Sequence, residues 1–289
     1  MENDYKLKED LELLLNEDGE TINSLSEKLS ISARTINNII GEKTNPSFET
    51  IEKFYSYFYK KGYRLNKTKE NIIKEVEKEL VLFHGSKNGV KEITKNGSRE
   101  KCDFGYGFYL GETYDQASSF IYDSKEGSVY AYKANIEGLK TIKYDCSIEW
   151  MITVCYYRGM IEEYKNNSYV KNIIEKAKNA DIIIAPIADN KMFFIMREFG
   201  NGNITTTQAI HSLASSGLGM QYVFKSDKAI NRLKLIEHLY LCNDEKNDIA
   251  NKMNERGMLI DTKLKLAKRE FRNEGKYIDE LFVWKNLTI

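Results

Sequence analysis

Apolar residues over the first sixty positions recur at helical spacing. In LKEDLELLL, Leu7, Leu11, Leu14 and Leu15 fall on one stripe, and TINSLSEKLS repeats the pattern more briefly. After a turn comes SARTINNIIGEK, where Ser32 is a plausible N-cap and Gly41 a stop. Pro46 bars helix at Asn45, Ser47 can cap the next helix, and Glu49 lies in its first turn. Residues 66–79 are charged, without Gly or Pro, and predict a linker helix. From residue 80 the period shortens. ELVLFHGS, SVYAYKANI, DIIIAPIA, MFFIM and MQYVFK read as strands, with helices in TYDQASSFIY, around Glu149–Arg158 and in SYVKNIIEKAKN. Beyond Asn243 the chain is heavily charged, and DIANKMNERG and TKLKLAKREFRNEG read as two amphipathic helices. Phe282, Trp284 and Leu287 look like anchors of a docked tail.

The expected fold class is therefore α+β. An all-α domain spans residues 1–65, a linker helix 66–79, a mixed domain 80–242, and a helical extension 243–289. At 289 residues and 42% hydrophobic, the chain can fill about two cores. No apolar run reaches bilayer length and no signal-peptide pattern opens the chain, which argues for a cytoplasmic protein without a membrane partner. With 43 basic and 43 acidic residues, no overall field draws it to nucleic acid or membrane. Cys102, Cys146, Cys155 and Cys242 lack C-x-x-C spacing and only three histidines occur, so no metal site is expected.

The N-terminal helices and the Gly41–Ser47 connector, GEKTNPS, resemble the Cro/repressor-type helix-turn-helix family. Ile22–Leu29 matches the first helix of the motif and Ser32–Gly41 the recognition helix. The resemblance implies that Ala33, Arg34, Thr35, Asn37 and Asn38 face a DNA major groove, where Arg and Asn read guanine and adenine edges. Charge weighs against tight binding. Residues 1–66 hold nine Lys/Arg against twelve Asp/Glu, and duplex affinity comes largely from neutralised phosphates. A homodimer, or a protein-docking role for the helices, would soften that objection.

The second candidate site centres on DFGYGFYLG (103–111). A dinucleotide-binding glycine loop should follow a buried strand and open a helix. Here a polar stretch precedes it and FYLG is β-forming, so the glycines suggest backbone passing close to a flat ligand, with the rings as stacking faces. VLFHGSK (81–87) ends an apolar strand with His84, Gly85 and Ser86. Together HGS, DFGYGFYL, Trp150 with Arg158, DIIIAPIADN (181–190) and QYVF (221–224) resemble a bacterial family of uncharacterised ADP-ribosyltransferase-like domains. One departure is visible: Ala185 stands before Pro186 where a glycine is usual.

That resemblance implies a split β-sheet fold and NAD as substrate, without a metal. His84 would hydrogen-bond the adenosine-side ribose, Gly85 would meet the nicotinamide amide, and Tyr109 would stack on the nicotinamide ring, with Ser86 and Phe108 lining the same slot. Left to themselves, His84 could be a capped strand end and Tyr109 a core aromatic. Arg158 could clamp the pyrophosphate or form a buried ion pair. The family's usual late-strand glutamate, which binds the nicotinamide-ribose 2′-hydroxyl, aligns with Gln221. A neutral amide forgoes about one to two kcal/mol of charge-assisted hydrogen bonding, about a tenfold slower step or somewhat more. Asp189 is the first candidate for a compensating carboxylate and Asp103 the second, although Asp189 equally suits a turn after Pro186. Expected partners are NAD, a macromolecular acceptor (protein or nucleic acid), a DNA operator and an antitoxin. A toxin or phage-defence role follows from the family's company. The alternatives are a catalytically silent NAD-binding regulator and a transcriptional regulator sensing another ligand.

Overall fold

The structure, a computed structural model, describes residues 5–188, 190–214 and 219–285. In chain order five helices come first: α1 (Leu7–Asp18), α2 (Ile22–Leu29), α3 (Ala33–Ile40), α4 (Phe48–Lys60) and α5 (Leu65–Val76). Next come β1 (Leu80–Ser86), β2 (Phe108–Gly111), α6 (Tyr114–Ser118), β3 (Ser128–Ala134) and β4 (Thr141–Lys143). They are followed by α7 (Ile148–Tyr157), α8 (Ser168–Lys178), β5 (Ile182–Pro186), α9 (Asn190–Gly200) and α10 (Thr206–Ala214). The chain closes with β6 (Met220–Phe224), α11 (Asp227–Ile230), β7 (Leu233–Leu239), α12 (Asn243–Glu270) and α13 (Ile278–Lys285). Helices first, then strands mixed with helices, make an α+β fold. None of the described helices is long and apolar enough to cross a membrane.

Two compact units divide the chain, each assembled from three segments. The first comprises residues 1–89, 113–134 and 234–252, the second 90–112, 135–233 and 253–289.

In the first unit, α1–α4 close over Leu11, Leu25, Ile36, Ile51, Phe54 and Phe58, all essentially without exposed surface. The caps explain why the helices begin and end where they do. The Thr21, Ser32 and Ser47 hydroxyls each accept the backbone N–H three residues on. Left-handed Gly19 ends α1, its N–H bonded to the Leu15 carbonyl at 2.9 Å. Cys242, just before α12, belongs to the same apolar cluster. Strands in this unit are ordered β1, β3, β7, and β1 runs antiparallel to β3 with His84 opposite Tyr130.

Strands in the second unit are ordered β4, β5, β6, β2. β5 is parallel to β4 and antiparallel to β6, which in turn is antiparallel to β2. Trp150, Ile152, Val154, Ile183, Ile195, Phe199 and Val223 form its core.

Several elements differ from the sequence reading. MFFIM is not a strand but part of α9: Met192, Ile195, Met196 and Phe199 are buried apolar side chains, the last three lying three, four and seven positions after the first. A short apolar run does not reveal its own period, and packing against α7 and α10 decided it. β7 was not anticipated because Glu237, a charge, occupies an inward position of LKLIEHL. The two amphipathic helices expected after Asn243 are one continuous helix, α12.

Candidate functional site

Strand β6 places Gln221 between Gly111 of β2 and Ala185 of β5 in the hydrogen-bonded ladder. Cross-strand partners share a face, so on this face Gln221 is flanked by two residues with almost no bulk. Two positions along each strand, Tyr109 and Val223 share the same face. Gln221 is 7% exposed, and its Nε2 donates to Asp103 Oδ2 at 2.8 Å and to the Pro186 carbonyl at 3.0 Å. The other oxygen of Asp103 accepts from Arg158 Nε at 3.1 Å and Nη2 at 2.7 Å. The Arg158 guanidinium in turn lies 3.6 Å from the centre of the Phe193 ring. A half-buried guanidinium, a buried carboxylate and a buried amide thus join the helix α7 terminus, the DFG loop and strand β6, with each charge hydrogen-bonded.

Tyr109 closes the loop on itself. Its hydroxyl donates to the Gly105 carbonyl at 2.7 Å and accepts the Phe104 N–H at 3.1 Å. Burial, and then the neighbouring Asp103 charge, push the phenol well above its ordinary range, so it stays protonated. The glycines of this segment answer to the protein's own packing. Gly105 is left-handed (φ +73°) and a Cβ there would lie 2.9 Å from the Tyr157 ring. On Gly107 a Cβ would stand 2.6 Å from Val223 Cγ1. Lys225, one residue beyond β6, donates to the Phe104 carbonyl and sits 4.8 Å from the centre of the Tyr157 ring. Burial pushes its ammonium down to about 8.

Of the residues expected from sequence, Tyr109, Arg158 and Gln221 converge here, and Asp103 bonds the last two. Phe108 is buried opposite Phe224. Trp150 lies in the core, its indole N–H without a partner among the described residues. Asp189 lies outside the described residues. Sequence reasoning passed over Lys225 and Phe193, and gave Asp103 only second place. The available signal was the position of Asp103 at the head of the DFG block.

His84, Gly85 and Ser86 belong to the first unit. The imidazole is half-buried near the end of β1, and the Ser86 hydroxyl donates to the Gly89 carbonyl at 2.7 Å. A Cβ on Gly85 would fall 2.2 Å from the Ala117 carbonyl of α6, so only glycine fits. On α3, Arg34, Thr35 and Asn37 are exposed and Asn38 is half-buried. The Asn37 amide donates to Ala33 O at 2.9 Å, and the Thr35 hydroxyl meets Ser32 at 2.8 Å. Nearby lysines pair with acids: Lys8 with Glu42, Lys28 with Glu20, Lys61 with Asp18 and Glu20. Among the described residues Arg34 and Lys43 form no ion pair.

Fold and site together define an α+β protein whose strands carry a buried, charge-linked polar cluster beside a glycine–aromatic loop. The chain belongs to the family described as "Protein of unknown function (DUF3990)", whose model matches residues 80–235, more than half of its length. No curated protein and no solved structure matches it.

Proposed function

We propose that this protein is an NAD-dependent mono-ADP-ribosyltransferase of toxin or phage-defence type, whose N-terminal helices bind DNA for autoregulation or targeting. The observation that carries the reading is the convergence of three sequence blocks far apart in the chain. The DFG loop, Arg158 and Gln221 gather at one cluster, beside the Tyr109 ring and two residues without bulk. In the reaction the bond between nicotinamide and ribose C1′ breaks and nicotinamide leaves with the electron pair. An acceptor X–H attacks C1′ and loses its proton, giving X–ADP-ribose. Gln221 accepts a hydrogen bond from the ribose hydroxyl. The Tyr109 ring walls the nicotinamide, its own hydroxyl being tied to the loop.

A second reading, a catalytically silent NAD-binding regulator, is favoured by one observation: the residue at the glutamate position is a neutral amide held by Asp103. Incubation with isotopically labelled NAD separates the two. Release of nicotinamide or transfer of label by the wild type, lost in His84→Ala and in Tyr109→Ala, supports the transferase. Tight NAD binding without turnover favours the regulator. Neither binding nor turnover sinks both.

A further inference from the structure

The chemistry around Gln221 fixes which way its amide points. Asp103 Oδ2 and the Pro186 carbonyl can only accept hydrogen bonds, so the Gln221 nitrogen must face them. The flipped amide would set its oxygen against two other oxygens and leave all three unsatisfied. With both N–H groups engaged, what remains is Oε1, which accepts no hydrogen bond among the described residues. Gly111 and Ala185, across the ladder on either side, put almost no bulk beside it. Asp103 is itself immobilised, because its other oxygen receives both Arg158 donors while Arg158 rests on Phe193. A carboxylate bound to an amide N–H also draws charge toward the amide oxygen, strengthening it as an acceptor.

We infer that Asp103 is a positioning residue for Gln221, holding the amide so that its oxygen, and never its N–H, is offered to a substrate hydroxyl. This rests on the transferase reading, in which the hydroxyl belongs to the nicotinamide ribose. It gives the neutral amide the acceptor-only character of a glutamate, with the negative charge one bond further back. It also means that glutamate is wrong for this chain, since a carboxylate at 221 would face Asp103 and Pro186 oxygens at about the same separations.

The test is nicotinamide release from labelled NAD by wild type, Asp103→Asn, Gln221→Glu and the double variant Asp103→Asn/Gln221→Glu. Asp103→Asn lets the amide turn over and should lower kcat about tenfold with KM little changed. Gln221→Glu puts two carboxylates in hydrogen-bond contact, one of which holds a proton. Its activity should fall at least about tenfold at pH 8, with its acid limb displaced upward in pH. In the double variant the amide N–H introduced at position 103 can meet the carboxylate introduced at position 221, while the amide oxygen still accepts from Arg158. It should recover about tenfold over Gln221→Glu, the Pro186 carbonyl keeping it short of wild type. Asp103→Asn with wild-type kcat, or Gln221→Glu faster than wild type at pH 8, overturns the inference. So does a double variant no better than Gln221→Glu. If the wild type releases no nicotinamide, the transferase reading fails separately, and thermal unfolding of the same variants still reads the geometry. Gln221→Glu alone should then lose stability between pH 5 and pH 8 while the double variant loses much less; parallel curves overturn the orientation.

Discussion

Lys225 joins several residue-scale features in one side chain. It reaches back to the Phe104 carbonyl, lies against the Tyr157 ring, and is half-buried beside the DFG loop. Burial lowers its pKa from the ordinary 10.5 to about 8. Folded chains therefore release this proton at about pH 8, and unfolded chains only near 10.5. Between those values the unfolded state binds more protons, so the folded state gains stability as pH rises. Denaturant unfolding across pH 7.5–10 should show wild type gaining on Lys225→Met by about 1 kcal/mol per pH unit. Two curves that stay parallel would refute the burial of this ammonium. The same loop shows how one residue type can be legible and its reason not. Glycines between aromatics suggested a ligand-facing backbone, yet Gly105 and Gly107 are already required by Tyr157 and Val223.

At the scale of elements, helices α1 and α5 are tied to strand β7 by charge, in addition to the apolar cluster that Ile73 of α5 forms with Leu239 of β7. The Lys69 ammonium sits between the Asp10 and Glu237 carboxylates, and the Tyr55 hydroxyl donates to Asp10. All three charged groups are buried. Burial is the leading cause of the raised Asp10 pKa, with Lys69 opposing it. Removing the cation would leave two carboxylates together in the interior. Lys69→Met should cost about 3–5 kcal/mol, read as a lowered denaturant midpoint, and the loss should shrink as the pH falls and the carboxylates protonate. A midpoint unchanged at neutral pH would contradict the buried triad. Glu237 is also why β7 escaped sequence reading: alternation can be seen only where inward positions are apolar, and its partners are a helix N-terminal residue and a lysine far away in sequence.

For the molecule as a whole, the question is whether the N-terminal helices bind duplex strongly enough to act. Most lysines around α3 are already paired with acids of the same bundle, leaving Arg34 and Lys43 as phosphate or base partners among the described residues. Binding to duplex DNA should be weak and shallow in salt dependence. Arg34→Ala and Lys43→Ala should each reduce the slope of log affinity against log salt by about one if each contacts a phosphate. A slope unaltered by either substitution would take α3 out of contact with DNA.

Local rules sufficed for the helix caps at Ser32 and Ser47, for strands β1, β3, β5 and β6, and for the α+β class, because each depends on residues within a few positions of one another. The sequence also marked Tyr109, Arg158 and Gln221 one at a time. What it could not reveal is that Asp103 joins two of them, or that MFFIM folds as helix. An ion pair between positions 103 and 158, an amide contact between 103 and 221 and the period of a short apolar run are settled only by which surfaces the folded chain brings together.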